Sequence, residues 1–192
     1  MRTVGVAKIF ESFQGEGIHS GRFMLFIRTS GCSVGCPQCD TDYRFKRKLT
    51  ESDAEVLIRS FQGEFVWVTG GEPTDWPHVD MLAEVCKNLG KRPIMATSGI
   101  RKVSDELWET YCSPHKPNQE QYNRHNQVNL VPGLNGISVA DCEWYIRNWD
   151  CDRFYITPMD GDDKAIFTCR DIVRRFPKCL LGVQAHKVWG VE

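Results

Sequence analysis

The chain has 192 residues, 41% of them hydrophobic and 26% charged, with a formal net charge of −1. This is the composition of an ordinary globular domain, long enough to bury a sizeable core. The near-zero charge recommends no bulk nucleic-acid surface. No apolar run nears the roughly 20 residues of a membrane helix, and Met1-Arg-Thr-Val-Gly-Val lacks a signal-peptide core, so a cytoplasmic protein with no membrane partner is expected.

Ala7-Lys-Ile-Phe-Glu-Ser12 reads as a short strand entering a polar loop, Gln14-Gly-Glu-Gly17. Residues 23–28 are a near-continuous apolar run of strand length, as expected where both faces are buried. A cysteine-rich loop follows. Thr50 with Asp53 is a capping-box-like start, and Ala54, Leu57, Ile58 and Phe61 continue at helical spacing. Phe65-Val-Trp-Val-Thr69 is the next strand, ended by Gly70-Gly-Glu-Pro73. A second helix begins near Pro77 and stops at Gly90. Pro93-Ile-Met-Ala96 is a short strand that turns at Thr97-Ser-Gly99.

This strand–loop–helix order predicts a parallel sheet with right-handed crossovers. The next third is less regular: a short helix over residues 104–108, a polar loop over 114–127 and a strand over 128–131. Ser138 with Asp141 opens another helix, residues 153–157 form a strand, and a last helix carries Ala165, Ile166, Cys169, Ile172, Val173 and Phe176. Residues 179–183 close the sheet. About six strands are legible in one domain, 1–192, so the expected fold is α/β, an incomplete (β/α) barrel of mostly parallel strands.

The nine cysteines are odd in number, which argues against a disulfide framework. Cys86, Cys142 and Cys169 fall on apolar helix faces and read as core. Cys32, Cys36 and Cys39 instead stand at C-x3-C-x2-C spacing in one short loop. Zinc normally takes four protein ligands, or three plus water with histidine well represented. Three thiolates alone suit a [4Fe-4S] cluster with one iron left open. A structural zinc completed by His19 or His78 remains the alternative from another class. In parallel sheets ligands bind at the carboxyl ends of the strands. The cysteine loop, Gly70-Gly71-Glu72 and Thr97-Ser98-Gly99 all fall on that edge, and a glycine pair there lets backbone groups approach a ligand closely.

Here the chain resembles the radical S-adenosylmethionine superfamily, whose signature is C-x3-C-x2-C followed by a Gly-Gly-Glu-Pro-like strand end. Phe13-Gln14-Gly15-Glu16-Gly17, Arg28-Thr-Ser-Gly-Cys32, Cys39-Asp40-Thr41, Thr69-Gly-Gly-Glu-Pro73, Pro158-Met-Asp-Gly161 and Gln184-Ala-His186-Lys187 are similar to blocks of the 7-carboxy-7-deazaguanine synthases, in family order. The resemblance implies a lyase that converts 6-carboxy-5,6,7,8-tetrahydropterin to 7-carboxy-7-deazaguanine by a 5′-deoxyadenosyl radical. It implies a [4Fe-4S] cluster on Cys32, Cys36 and Cys39, and Mg²⁺ on Thr41 with Asp40 beside it. Phe13, Gln14, Gly15, Glu16, Arg28, Thr69, His186 and Glu192 become substrate contacts. Gly71, Ser98, Ser113, Thr157, Pro158, Met159 and Asp160 become S-adenosylmethionine contacts. An external electron donor of flavodoxin or ferredoxin type and a homodimer are implied too.

Four departures bear on the adenosyl contacts. Ala96 stands where the family commonly has Glu, His115 makes the Ser113-Pro-His-Lys116 alignment ambiguous by one residue, Thr157 replaces a usual Gln, and residues 116–136 match no block. A radical activase acting on a protein is the second enzymatic reading. It would need neither the Gln-Gly-Glu-Gly loop nor a buried carboxylate-binding Arg.

Overall fold

Phe23-Met-Leu-Phe-Ile-Arg28 and Phe65-Val-Trp-Val-Thr69 are apolar without alternation because both of their faces are covered. In the computed structural model, Leu25, Ile27, Val66 and Val68 face one helix-covered core. Met24, Phe26, Phe65 and Trp67 face a second, aromatic one on the opposite side of the sheet. The structure describes residues 1–39, 41–116, 124–159 and 163–191.

The strands are β1 (Thr3–Phe13), β2 (Phe23–Thr29), β3 (Arg47–Thr50), β4 (Phe65–Gly70), β5 (Arg92–Thr97), β6 (Glu109–Cys112), β7 (Arg124–Leu130), β8 (Asp150–Ile156) and β9 (Cys179–Leu181). They form one sheet in the order β3-β1-β2-β4-β5-β6-β7-β8-β9. β1 runs antiparallel to β2 and β3, and every pairing from β2 to β9 is parallel. This is the incomplete, mostly parallel (β/α) arrangement expected, with β3 and β9 as its edges among the described residues.

Helices α1 (Glu51–Ser60) and α2 (Asp80–Asn88) cover the first core, where Ala54, Ile58, Leu82 and Cys86 are fully buried. The helices α3 (Val139–Asn148) and α4 (Asp163–Arg175) bury Cys142, Tyr145, Ile146, Cys169 and Ile172 against β7 to β9. Thr50 and Ser138 cap α1 and α3 through reciprocal capping boxes with Asp53 and Asp141, as their spacing predicts. No helix among the described residues is long and apolar enough to cross a membrane.

Three expectations are corrected. Residues 104–108 form turns rather than a helix: the Leu107 and Trp108 N–H groups both return to the Ser104 carbonyl (3.1 and 3.0 Å). Trp108 is buried and its indole N–H donates to Asp80 (2.7 Å), an anchor that no local periodicity reveals. Among the described residues the sheet has nine strands rather than about six, because β3 and β6 are only four residues each. Finally, residues 124–127, expected in the polar loop, already belong to strand β7 (Arg124–Leu130); after the last strand Ala185–Trp189 forms a short helix, α5.

Candidate active site

At the carboxyl ends of β4, β5, β6 and β7 the sheet opens into a cavity of about 550 Å³. Cys32, Cys36 and Cys39 line it from the loop after β2. That loop is fastened on several sides. The Ser33 N–H and hydroxyl both donate to Asp75 (2.7 Å each), which also pairs with Arg101. The Trp76 indole donates to the Ser30 carbonyl (2.7 Å). On the far side Asn135 donates its N–H to the Gln38 side chain (2.8 Å) and its own amide meets His115 Nδ1 (3.0 Å).

The glycine pair has a packing role. A Cβ on Gly71 would lie 1.7 Å from the Gly31 carbonyl oxygen and 2.8 Å from the Cys32 Cβ. The neighbouring backbone is zipped to the loop by Gly71 N–H to Thr29 (3.2 Å) and Glu72 N–H to Gly31 (3.1 Å). Gly70 has φ +142°, a region open in practice to glycine alone. Any side chain at Gly71 would push the cysteine loop off the sheet.

Glu72 is buried at 1% exposure and accepts five hydrogen bonds. Its Oε1 receives the Thr74 N–H (3.1 Å), the Thr74 hydroxyl (2.6 Å) and the Thr97 hydroxyl (2.7 Å). Its Oε2 receives the Ser98 N–H (2.8 Å) and hydroxyl (2.6 Å). A buried carboxylate persists only with such partners, so Glu72 acts as a latch between the strand ends of β4 and β5.

Across the cavity from the thiols stands a second carboxylate. Glu16 lies in the loop after β1, whose Gln14 accepts the Glu16 N–H (3.0 Å). Gln127 accepts the N–H of Ile18 (2.9 Å). The Tyr111 hydroxyl donates to Glu16 Oε2, the Asn129 amide reaches the same oxygen (3.4 Å), and the Gln184 amide donates to Oε1 (3.1 Å). Thr157 in turn holds Asn129. Burial, and then the Glu16 charge, push the Tyr111 phenol well above its ordinary value, so it stays a donor throughout the physiological range. Ala96 is the register partner of Tyr111. Both line the cavity.

The cavity gathers, of the expected site residues, Glu16, Thr69, Gly71, Ser98, Ser113, Met159, Thr41 and the three cysteines. Phe13, Gln14, Gly15, Arg28, Thr157, Pro158 and His186 stand outside its lining. Phe13 packs at a tilt against Phe23 (ring centroids 5.4 Å apart) and the Arg28 guanidinium lies over Phe10 (5.3 Å). Gly15 packs against His186, where a Cβ would meet Nδ1 at 2.3 Å, and its carbonyl accepts the Ala185 N–H (2.9 Å). Asp40, Asp160 and Glu192, expected beside Mg²⁺, S-adenosylmethionine and substrate respectively, lie outside the described residues. His115 faces the cavity, whereas Lys116 is exposed and its carbonyl accepts the Tyr145 hydroxyl. Sequence reasoning missed Tyr111, Asn129, Gln38 and Asn135. It also gave no role to Glu72, Gln184 or Lys187, all three inside blocks it had marked.

The donor set fits an iron–sulfur cluster. All three side chains are soft thiols on one loop and they face a common cavity. Burial raises the Cys36 thiol, and the neighbouring Cys32 and Cys39 charges raise it further. Such crowded thiolates are stabilised by a cationic centre. Neither histidine of the zinc reading joins them: His19 is buried against Glu109 (2.5 Å) at the first residue of β6, the opposite end of the strands, and His78 is exposed.

The Radical SAM superfamily model matches residues 26–115. The 7-carboxy-7-deazaguanine synthase of Haemophilus influenzae is 30% identical over 97% of this chain and 93% of its own length. That of Bacteroides thetaiotaomicron is 30% identical over 97% and 98%, and that of Flavobacterium psychrophilum 34% over 95% and 90%. The solved structure of QueE from Escherichia coli superposes with a TM-score of 0.78 at 22% identity, over 96% of this chain and 95% of that one, which establishes the shared fold. The chain therefore belongs to the 7-carboxy-7-deazaguanine synthase family of radical S-adenosylmethionine enzymes.

Proposed function

We propose that this chain converts 6-carboxy-5,6,7,8-tetrahydropterin to 7-carboxy-7-deazaguanine, with ring contraction and loss of ammonia. The observation that carries the reading is that the three thiols, the glycine pair and the Glu16 carboxylate open onto one cavity. Cys32, Cys36 and Cys39 hold the [4Fe-4S] cluster. Cluster and S-adenosylmethionine, when bound, supply a 5′-deoxyadenosyl radical for abstraction of the hydrogen at substrate C6.

Glu16 accepts the N–H groups of the aminopyrimidinone ring, and Gln14, Gly15 and Phe13 shape the loop that carries it. Arg28 on β2 takes the substrate carboxylate, for which a guanidinium fork is the best geometry. Thr69 reaches the substrate, and so do His186, held against Gly15, and Glu192. Gly71, Ser98, Ser113, Thr157, Pro158, Met159 and Asp160 contact S-adenosylmethionine. Thr41, next to the cysteines, contributes an oxygen to Mg²⁺. The chain works as one domain, 1–192, in the cytoplasm, as a homodimer, and takes electrons from a flavodoxin- or ferredoxin-type protein.

The test is anaerobic incubation of the iron-loaded protein with S-adenosylmethionine, reductant, Mg²⁺ and the pterin. Formation of 7-carboxy-7-deazaguanine supports the reading. Release of 5′-deoxyadenosine without that product rejects the substrate assignment and keeps the radical chemistry.

A further inference from the structure

Residues 44–48, Arg44-Phe45-Lys46-Arg47-Lys48, put four cations and an aromatic side by side in a chain whose net charge is −1. All five are exposed, Phe45 at 55%. Arg44 is neutralised by a two-point pair with Asp42 (2.9 and 2.7 Å). Lys46, Arg47 and Lys48 make no ion pair among the described residues, so their charge faces solvent.

The fold fixes this strip beside the cysteine loop. β3 is an edge strand of the sheet among the described residues, and Arg47 and Lys48 are the register partners of Val6 and Gly5. Val6 is in turn level with Thr29, where β2 ends and the cysteine loop begins. The Tyr43 carbonyl accepts the Gly31 N–H (3.0 Å) and the Lys46 N–H donates to Val6 (3.0 Å), which pins both ends of the segment leading into the strip. Cys39, the last of the three cysteines, is exposed and lies five residues before Arg44.

We infer that this strip is the docking surface for a small acidic electron-carrier protein. The inference rests on the radical reading, since that chemistry needs an electron delivered from outside. In the step served, one electron passes from the reduced carrier to the oxidised cluster. The carrier's redox centre is oxidised by one electron and no atom is transferred. Charge complementarity at such a contact accelerates encounter and is screened by salt, and weak redox contacts are small. A few exposed cations round one aromatic anchor therefore suffice. Basic residues on an edge strand also discourage strand-to-strand aggregation. That role alone would not distinguish a protein donor from a chemical one.

The experiment compares the iron-loaded wild type with a Lys46→Glu, Arg47→Glu, Lys48→Glu triple variant and with Phe45→Ala, reading 5′-deoxyadenosine release. Each is driven either by reduced flavodoxin or by dithionite, and flavodoxin binding to the iron-free protein is measured in parallel. The triple variant should lose about tenfold or more of the flavodoxin-driven rate at low salt, and a comparable share of the binding, with the dithionite-driven rate unchanged. The wild-type flavodoxin rate should fall as salt rises. Equal loss with both reductants, or unchanged flavodoxin rates and binding in both variants, overturns the docking surface. No 5′-deoxyadenosine from wild type with dithionite overturns the radical reading instead. The substrate assignment does not enter, because the readout precedes it.

Discussion

Replacing Glu72 by Gln asks whether this residue is a structural latch. The carboxylate accepts three donors on Oε1 and two on Oε2. A glutamine keeps its one oxygen where three donors converge, so its NH₂ must take the place of Oε2. The Ser98 N–H then faces another donor. Its hydroxyl can turn, but the backbone N–H cannot. Losing that bond inside the protein costs about 1–3 kcal/mol, and weakening the remaining charge-assisted bonds to neutral ones adds about as much again in part. We expect about 2–4 kcal/mol in total, a large share of the roughly 5–15 kcal/mol that holds a domain folded. Urea unfolding of the iron-free protein checks it: with a slope of about 2 kcal/mol per M, the midpoint should fall by about 1–2 M. A shift under about 0.25 M would mean less than about 0.5 kcal/mol and would refute the latch.

Other outcomes follow from the same geometry. Gly71→Ala places a methyl group 1.7 Å from the Gly31 oxygen; the variant should bind markedly less iron per chain after reconstitution, read by iron assay and the cluster's visible absorbance. Tyr111→Phe removes one of the donors that orient Glu16, and should raise the substrate KM about tenfold with kcat little changed; in a Glu16→Gln background the same change should have a much smaller effect. Burial works to raise the Glu109 carboxyl, but its hydrogen bond to His19 and the nearby His19 and Arg92 charges outweigh this and hold it below its ordinary 4.5. A lowered carboxylate contributes stability above its unfolded value that disappears as pH falls through the folded one. Wild-type stability should therefore decline below about pH 4.5 more steeply than that of Glu109→Gln, as thermal melts across the acid range will register.

What was legible in the sequence is what is local in the chain. Cys32, Cys36 and Cys39 sit within eight residues, and the capping boxes at Thr50 and Ser138 span four residues each, so spacing alone finds them. Gly70-Gly71 marks the right strand end. From the sequence it reads as an approach point for a ligand, and the fold adds that Gly71 must clear Gly31, some 40 positions earlier in the chain. The wiring of Glu16 was invisible for the same reason. Tyr111, Asn129 and Gln184 come from β6, β7 and the segment after β9, and a four-residue strand such as Glu109–Cys112 has too little length to declare a period. Trp108-Glu-Thr-Tyr111, with its aromatic and β-branched residues, was the available hint of a strand.

The most direct test of the account is the fate of the hydrogen at substrate C6. With 6-carboxytetrahydropterin deuterated at that carbon, the iron-loaded protein should form 7-carboxy-7-deazaguanine and carry deuterium into the 5′-deoxyadenosyl group. Unlabelled 5′-deoxyadenosine, or labelled pterin recovered unchanged beside active iron-loaded enzyme, would contradict it.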